Sequence, residues 1–121
     1  MPGKVYFTED GIYVAKSNTE IQQSASVKPV RTFTETSIQL IPNTYYRKIN
    51  QSSSLTITLA PETNPNVINE YFIEFTTDTS GTTIALPNSI KWANGEKPTF
   101  EANTTYQISI VNNLGICVKF K

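Results

Sequence analysis

Apolar residues alternate with polar or small ones along most of this chain, and turn residues interrupt the alternation at short intervals. The clearest example is residues 55–59, where leucine and isoleucine occupy one face and two threonines the other. Residues 71–75, 104–110 and 116–120 repeat the pattern. A period of two that is bounded by turn residues predicts a β-strand with one face in a core. We therefore expect short strands through most of the chain.

The fold class follows from the number and spacing of these strands. Further strands are predicted over residues 30–34, 38–41, 45–49, 82–86 and 90–93, and no stretch has the pattern of a long amphipathic helix. Many short strands separated by turns favour an antiparallel sandwich or barrel. The sequence predicts an all-β protein, an antiparallel β-sandwich of the jelly-roll or immunoglobulin-like type. Its expected central strand is residues 55–59, and its expected core residues are Leu55, Ile57, Leu59, Tyr71, Ile73 and Phe75.

A short motif occurs twice at the start of an alternating stretch. Asn43-Thr44-Tyr45-Tyr46 and Asn103-Thr104-Thr105-Tyr106 each lead from a turn towards a strand. The spacing between motif and strand differs in the two places. The motif therefore indicates that the same turn-to-strand chemistry is used twice, and it does not indicate a duplicated domain.

The first 35 residues differ in pattern from the rest of the chain. Residues 4–8 and 12–16 alternate around Asp10-Gly11, which is typical of a β-hairpin because glycine supplies positive φ at little cost. Residues 17–28 are polar and bury too little apolar area to become ordered without a neighbour. We interpret residues 1–35 as an N-terminal hairpin and docking arm, and residues 36–121 as the β-sandwich domain.

The predicted hairpin has little core of its own, and an isolated two-stranded hairpin is marginally stable in water. Its apolar residues Val5, Phe7, Ile12 and Val14 therefore need a surface to cover. We expect them to make docking or oligomer contacts. The competing interpretation is that part of the surface they cover belongs to the protein's own sandwich.

The charge balance and the lengths of the apolar runs exclude some kinds of binding partner. Ten basic and ten acidic side chains cancel, and the basic residues are scattered singly, so nucleic-acid binding is disfavoured. No apolar run approaches the ~20 residues of a membrane helix, and the first residues lack the apolar stretch of a signal peptide. We expect a protein made in the cytosol that binds neither nucleic acid nor membrane. Charged residues make up only 17% of the chain, and a surface rich in neutral hydroxyls and amides is common on both extracellular and virion surfaces.

The sequence offers little catalytic or metal-binding chemistry. It has no histidine to activate a serine or a cysteine, and it has too few ligands for a zinc site. Cys117 is the single cysteine, so it forms no disulfide within the chain and is expected to be a small, mostly buried residue. Glu9 beside Asp10, and Glu74 near Asp78, are interpreted as solvated acids. We expect no enzyme activity, no metal and no cofactor.

The remaining candidates for a binding site are mainly aromatic. Trp92 lies just before an expected turn that contains Asn94, and a tryptophan beside amides can stack on a sugar ring or anchor a protein partner. Tyr45 and Tyr46 point to opposite faces of one predicted strand, so at least one should be exposed. We take these four residues as candidate glycan or partner contacts. The alternative is that Trp92 closes one end of the core.

The C-terminal part of the chain resembles a known class of proteins. The segment Leu86-Pro87-Asn88-Ser89-Ile90-Lys91-Trp92, followed by Pro98, Glu101 and Tyr106-Gln107-Ile108-Ser109-Ile110, is similar to the β-rich C-terminal modules of virion structural proteins of tailed bacteriophages. The resemblance covers roughly residues 36–121. The predicted N-terminal hairpin looks like the short N-terminal elements of phage head-fibre proteins.

The resemblance implies a non-enzymatic role in the virion, as a head fibre, a capsid decoration or a tail appendage. It implies that the chain docks on capsid or tail proteins, displays a β-domain and forms a homo-oligomer. A trimer is favoured because fibre-type proteins are commonly trimeric. The alternative function is a carbohydrate-binding or host-receptor-binding module, in which Trp92 acts with Tyr45 or Tyr46 on a host glycan.

Overall fold

A computed structural model describes residues 28–62 and 64–120 of the chain. This part contains nine strands and no helix, so the predicted all-β class is confirmed. The strands are β1 (Val30–Phe33), β2 (Ser37–Leu40), β3 (Tyr45–Lys48), β4 (Ser54–Leu59), β5 (Glu70–Thr76), β6 (Thr83–Ala85), β7 (Lys91–Trp92), β8 (Thr105–Val111) and β9 (Leu114–Phe120). The predicted hairpin with Val5, Phe7, Ile12 and Val14 lies outside the described residues, as do residues 17–27.

The strands form two sheets between which the chain alternates. A six-stranded sheet has the order β1-β3-β5-β8-β9-β7, and a three-stranded sheet has the order β2-β4-β6. From β1 to β7, each strand of one sheet is followed in sequence by a strand of the other. A chain that leaves a sheet and returns to it through a crossover arrives in its original direction, so consecutive strands of that sheet pair in parallel. Here the crossovers are themselves strands of the opposite sheet.

The prediction of antiparallel pairing is wrong for most of the described structure. Five of the seven strand pairings are parallel, and the two antiparallel ones join β5 to β8 and β8 to β9. Jelly-roll and immunoglobulin-like sandwiches are built from antiparallel neighbours. The described topology is therefore neither of these, because successive strands from β1 to β7 alternate between sheets and do not turn back as hairpins.

Side chains from both sheets form one hydrophobic cluster. β4 is the middle strand of the three-stranded sheet, and its Leu55 and Ile57 are buried as predicted, while Leu59 is half-buried against the cluster. The other buried members are Phe33, Ile38, Leu40, Tyr46, Tyr71, Ile73, Phe75, Ile84, Leu86, Ile90, Tyr106, Ile108 and Ile110. The alternation therefore predicted the buried face of β4 and β5 correctly.

Residues 30–33, which the sequence pattern places in the arm, form β1 at one end of the six-stranded sheet. β1 pairs in parallel with β3, with Val30 opposite Tyr45 and Phe33 opposite Lys48. Phe33 is buried in the cluster and lies edge-on to the ring of Tyr46. Residues 30–33 are therefore part of the β-domain.

The repeated asparagine–tyrosine motif has the same geometry in both places. Asn43 and Asn103 adopt positive φ angles of 66° and 53°, which asparagine tolerates better than most residues. Three residues later a fully buried tyrosine accepts a hydrogen bond from the backbone N–H five residues before it. The Ile41 amide donates to Tyr46 over 3.1 Å, and the Glu101 amide donates to Tyr106 over 2.6 Å. The interpretation as repeated turn-to-strand chemistry is confirmed.

A two-residue turn, Asn112-Asn113, joins β8 to β9 and determines how β9 is oriented. Both asparagines have positive φ, 53° and 64°, as the type I′ hairpin turn requires. The turn sets Val111 opposite Leu114, and the register continues to Thr105 opposite Phe120. Every side chain of β9 therefore lies on the same face of the sheet as its partner on β8.

We predict that each tyrosine hydroxyl stabilises the turn before it. Tyr46→Phe and Tyr106→Phe each remove one hydrogen-bond acceptor while keeping the buried ring, and each should lower the free energy of unfolding by about 1 kcal/mol. The double variant should lose about the sum, because β5 separates the two strands and distant sites contribute additively. Chemical denaturation of the three variants measures this. A Tyr106→Phe protein as stable as the parent would contradict it.

Candidate binding surface on the six-stranded sheet

The six-stranded sheet has a core-facing side and an outward side, and the outward side carries the candidate surface. On β3, β5 and β8, alternate residues are buried and the residues between them are partly or fully exposed. These strands are register neighbours, so their outward residues form continuous rows across the sheet. The rows are polar or aromatic on β3, β5 and β8 except at Val111, and they are apolar on β9.

Glu74 lies at the centre of the polar part of this surface. Its Oε1 accepts hydrogen bonds from Gln107 Nε2 and from the Tyr45 hydroxyl, each at 2.8 Å. Arg47 Nε lies 3.5 Å from Glu74 Oε2. The bond from Gln107 is the largest cause that holds the pKa of Glu74 below its usual 4.5, and Tyr45 and Arg47 act in the same direction. Glu74 is therefore a paired carboxylate, and it does not have the raised pKa of a general acid.

Tyr45 completes this network with its ring. It stacks on Phe72 with ring centroids 4.3 Å apart, and the Arg47 guanidinium lies 5.5 Å from the Tyr45 ring centroid. Burial raises the pKa of the Tyr45 hydroxyl, and its hydrogen bond to Glu74 raises that pKa further. Tyr45 and Tyr46 do point to opposite faces as predicted. Tyr46 is fully buried, so only Tyr45 can contribute to a surface.

A second paired carboxylate, Glu70, lies on the same face of β5. It accepts hydrogen bonds from Lys28 Nζ and from Ser109 Oγ. The bond from Lys28 is the largest cause that lowers the pKa of Glu70, and Ser109 adds to it. Lys28 is the first described residue, so this ion pair ties the start of the described chain to the outward face.

The outward side of β9 is apolar along its whole length. Leu114, Ile116, Val118 and Phe120, which we name the β9 apolar row, have 46–51% of their surface exposed. Their β8 partners from Leu114 onwards are Val111, Ser109, Gln107 and Thr105. An exposed row of four large apolar side chains beside a polar region is typical of a protein interaction surface.

The β9 apolar row was not predicted from the sequence, because the alternation at residues 116–120 indicates a strand whose apolar face is buried. The inward positions of β9 are instead occupied by Gly115, Cys117 and Lys119. A local signal would have revealed this. The Asn112-Asn113 turn sets β9 in register with β8, whose inward residues are Tyr106, Ile108 and Ile110, and the hairpin register then directs Ile116 outwards.

Trp92 and Asn94 lie together at the other side of β9. They line a small cleft of about 130 Å³ with Pro98, Ile116 and Cys117. Trp92 is half-buried against the core cluster, and its ring is so close to Gly115 that a Cβ at residue 115 would lie 2.7 Å from it. Trp92 therefore closes one end of the core, while Asn94 is exposed in the following turn.

The four candidate contact residues do not form one site. Trp92 is on β7 and Tyr45 and Tyr46 are on β3, and β5, β8 and β9 separate these two strands. Strands lie about 4.8 Å apart, so four spacings place β3 and β7 roughly 19 Å from each other. A single sugar ring cannot contact Trp92 and Tyr45 at the same time.

Other chemistry among the described residues is structural. Burial raises the pKa of the Cys117 thiol, which is half-buried against the core. Asp78 Oδ1 accepts a hydrogen bond from the Thr79 amide in the turn after β5. Within residues 28–62 and 64–120, no group of three histidine, cysteine or acidic side chains is placed to hold a metal ion. That part of the chain also contains no membrane-spanning helix.

Comparison of the chain with protein families, curated proteins and solved structures finds no match.

We predict that the outward carboxylates make the stability of the protein depend on pH. Because the pKa of Glu74 is lowered on folding, its ionised form stabilises the fold fully above the usual value of 4.5. This stabilisation is lost as pH falls from 4.5 through the lower folded pKa. Glu74→Gln should lower the melting temperature at pH 7 and make it decline less as pH falls below 4.5.

Thermal melts of the parent and Glu74→Gln at a series of pH values measure this dependence. Glu96→Gln removes the same charge from an exposed turn residue and is the matched control. Parallel curves for the parent and Glu74→Gln would contradict the assigned role of Glu74.

Proposed function

We propose that this chain is a non-enzymatic structural protein of a tailed-bacteriophage particle, a head fibre, a capsid decoration or a tail appendage. In this role residues upstream of β1 dock on capsid or tail proteins, and the β-domain is displayed from the particle. The observation that carries the proposal is the β9 apolar row. Four exposed large apolar residues on one strand fit a protein that works in permanent contact with other protein surfaces.

The architecture supports a structural role. We infer that the two sheets, which contribute to one hydrophobic cluster, pack face to face as a β-sandwich. The apolar residues that carry the phage resemblance belong to this cluster. Leu86, Ile90 and Tyr106 are buried in it, and Trp92 packs against it. The resemblance therefore concerns residues that build the core of the domain, and it identifies no ligand-binding residue.

The arrangement of polar groups on the outward face also favours a structural role over catalysis. The two carboxylates on this face, Glu70 and Glu74, are each held by neighbouring donors, and their pKa values are lowered. A general acid at neutral pH needs a raised pKa. These groups orient the neighbouring side chains of the sheet, which is consistent with a rigid display domain.

We propose in addition that the protein is a homo-oligomer, with a trimer favoured. Val5, Phe7, Ile12 and Val14 need a surface to cover, and the β9 apolar row offers an apolar surface on the described domain. Apolar surfaces of this kind are more common at subunit interfaces than on free monomers.

The proposed function predicts that the chain is part of the assembled particle. Antibodies against residues 28–120 should label complete particles purified from a lysate of the host that carries the gene, and mass spectrometry should give a fixed copy number per particle. Gold labelling then distinguishes head from tail. Finding the chain only in the soluble fraction of a lysate that contains complete particles would contradict the proposal.

The second candidate function is a carbohydrate-binding or receptor-binding module. The cleft beside Trp92 and Asn94 favours it, because an aromatic ring next to an exposed amide suits a sugar. A glycan array with the full chain tests it. Selective binding that is lost in Asn94→Ala and kept in Asn88→Ala, an equally exposed asparagine outside the cleft, would support this function.

A further inference from the structure

The β9 apolar row borders an edge of the six-stranded sheet that is open over most of its length. β7 is the last strand in the sheet order, and it pairs with Leu114 and Gly115 alone. Among the described residues, no strand lies beside residues 116–120 on that side of β9. At its start, Ile116 and Cys117 face the cleft that Asn94 and Pro98 also line. A strand edge of five residues without a paired strand is a template for a further strand.

The hydrogen bonds of β7 show which backbone groups point towards the open edge. The carbonyls of Asn113 and Gly115 accept bonds from the amides of Lys91 and Ala93, at 2.6 and 3.0 Å. Backbone groups alternate in direction along a strand. The same alternation directs the N–H and C=O groups of Cys117 and Lys119 towards the open edge.

We propose that residues 4–16 of a neighbouring copy of this chain add a strand to this edge. This inference rests on the proposed function as an oligomeric particle protein and deepens it by naming the interface. Residues 4–8 and 12–16 are two alternating stretches of five residues, the length of the open edge. Once paired, Val5 and Phe7 or Ile12 and Val14 continue the β9 apolar row, and main-chain hydrogen bonds supply affinity.

The position at which the N-terminal segment joins the domain identifies the donor as another copy. The described chain begins at Lys28, immediately before β1, and β1 and β9 lie towards opposite ends of the sheet. With strands about 4.8 Å apart, they are separated by roughly 19 Å. To reach its own β9, the segment would have to cross the outward face, which carries Arg47, Glu70 and Glu74. Among the described residues between β1 and β9, the apolar cover on that face is limited to the Tyr45–Phe72 ring stack and Val111.

The positions of the donor segment and the acceptor edge limit the symmetry of the oligomer. The donor segment leaves beside one edge of the sheet and the acceptor is near the other edge, so the two surfaces that meet are different parts of the chain. Such a contact is heterologous, and it produces a closed ring when the rotation between copies closes. A trimer is a small ring of this kind.

Complementation between two variants of the full chain tests the proposal. Phe7→Asp/Val14→Asp damages both alternating stretches of the donor segment and leaves β9 intact, while Val118→Asp damages the acceptor and leaves the segment intact. Val118 is half-exposed and points outwards, so the substitution should preserve the fold, and Phe120→Asp is a second acceptor variant. Circular dichroism checks folding. Gln22→Asp and Ile68→Asp place the same charge outside both surfaces and are the controls.

The parent and both controls should form an oligomer with a mass that is a multiple of the 13.5 kDa chain, as measured by light scattering. Each donor or acceptor variant alone should be a monomer. An equimolar mixture of the two should double in mass to a heterodimer, because one intact donor meets one intact acceptor. A monomeric parent, a mixture that does not associate, or a control that dissociates would overturn the proposal.

Failure of the proposed strand exchange and failure of the proposed virion role give different experimental results. A chain that is present on purified particles but fails the mixing test would refute the exchange of residues 4–16 and leave the virion role standing. A chain that passes the mixing test but is absent from particles would refute the virion role alone.

Discussion

Both sheets bury their apolar side chains in one shared core, and this core determines which face of each strand reaches the surface. From β1 to β7 the chain moves to the opposite sheet after every strand. Neither sheet can therefore form without the other, because the strands of one provide the crossovers of the other. The buried face of each sheet is fixed by this arrangement, and the outward face of the six-stranded sheet is left free to carry polar networks and the β9 apolar row.

After β7 the chain stops alternating between the sheets, and within the described part of the chain this leaves most of one edge of β9 without a paired strand. β8 and β9 remain in the six-stranded sheet and form a hairpin. β7 is too short to cover β9, because its two residues pair with the first two residues of β9. The Asn112-Asn113 turn then directs the large side chains of β9 outwards. An apolar row beside an open backbone edge is the combined result of these three local features.

Much of the fold could be predicted from the sequence because side-chain alternation is a local property. It assigned the buried faces of β4 and β5, and it placed Tyr45 and Tyr46 on opposite faces. Alternation does not identify the pairing partner, since it has the same period in parallel and antiparallel strands. For this reason the sequence predicted an antiparallel sandwich, whereas the six-stranded sheet is mixed and the three-stranded sheet is parallel.

The candidate site was harder to predict because it depends on register and on distance across the sheet. Trp92 and Tyr45 look alike in sequence, as aromatics next to turns, yet three strands separate their positions. The face of Ile116 and Val118 could have been deduced from the hairpin register with β8. The pairing of Glu74 with Gln107 and Tyr45 could not, because it requires knowing that β3, β5 and β8 are neighbours.

We propose that the working surface of this protein is the outward side and open edge of the six-stranded sheet. Amide hydrogen exchange of the full chain in its assembled state tests it most directly. The amides of Cys117 and Lys119 should exchange as slowly as those in the middle of β5, because a strand covers their edge. Fast exchange of these two amides in the assembled protein, at the rate of exposed turns, would show that no strand covers this edge and would contradict the proposal.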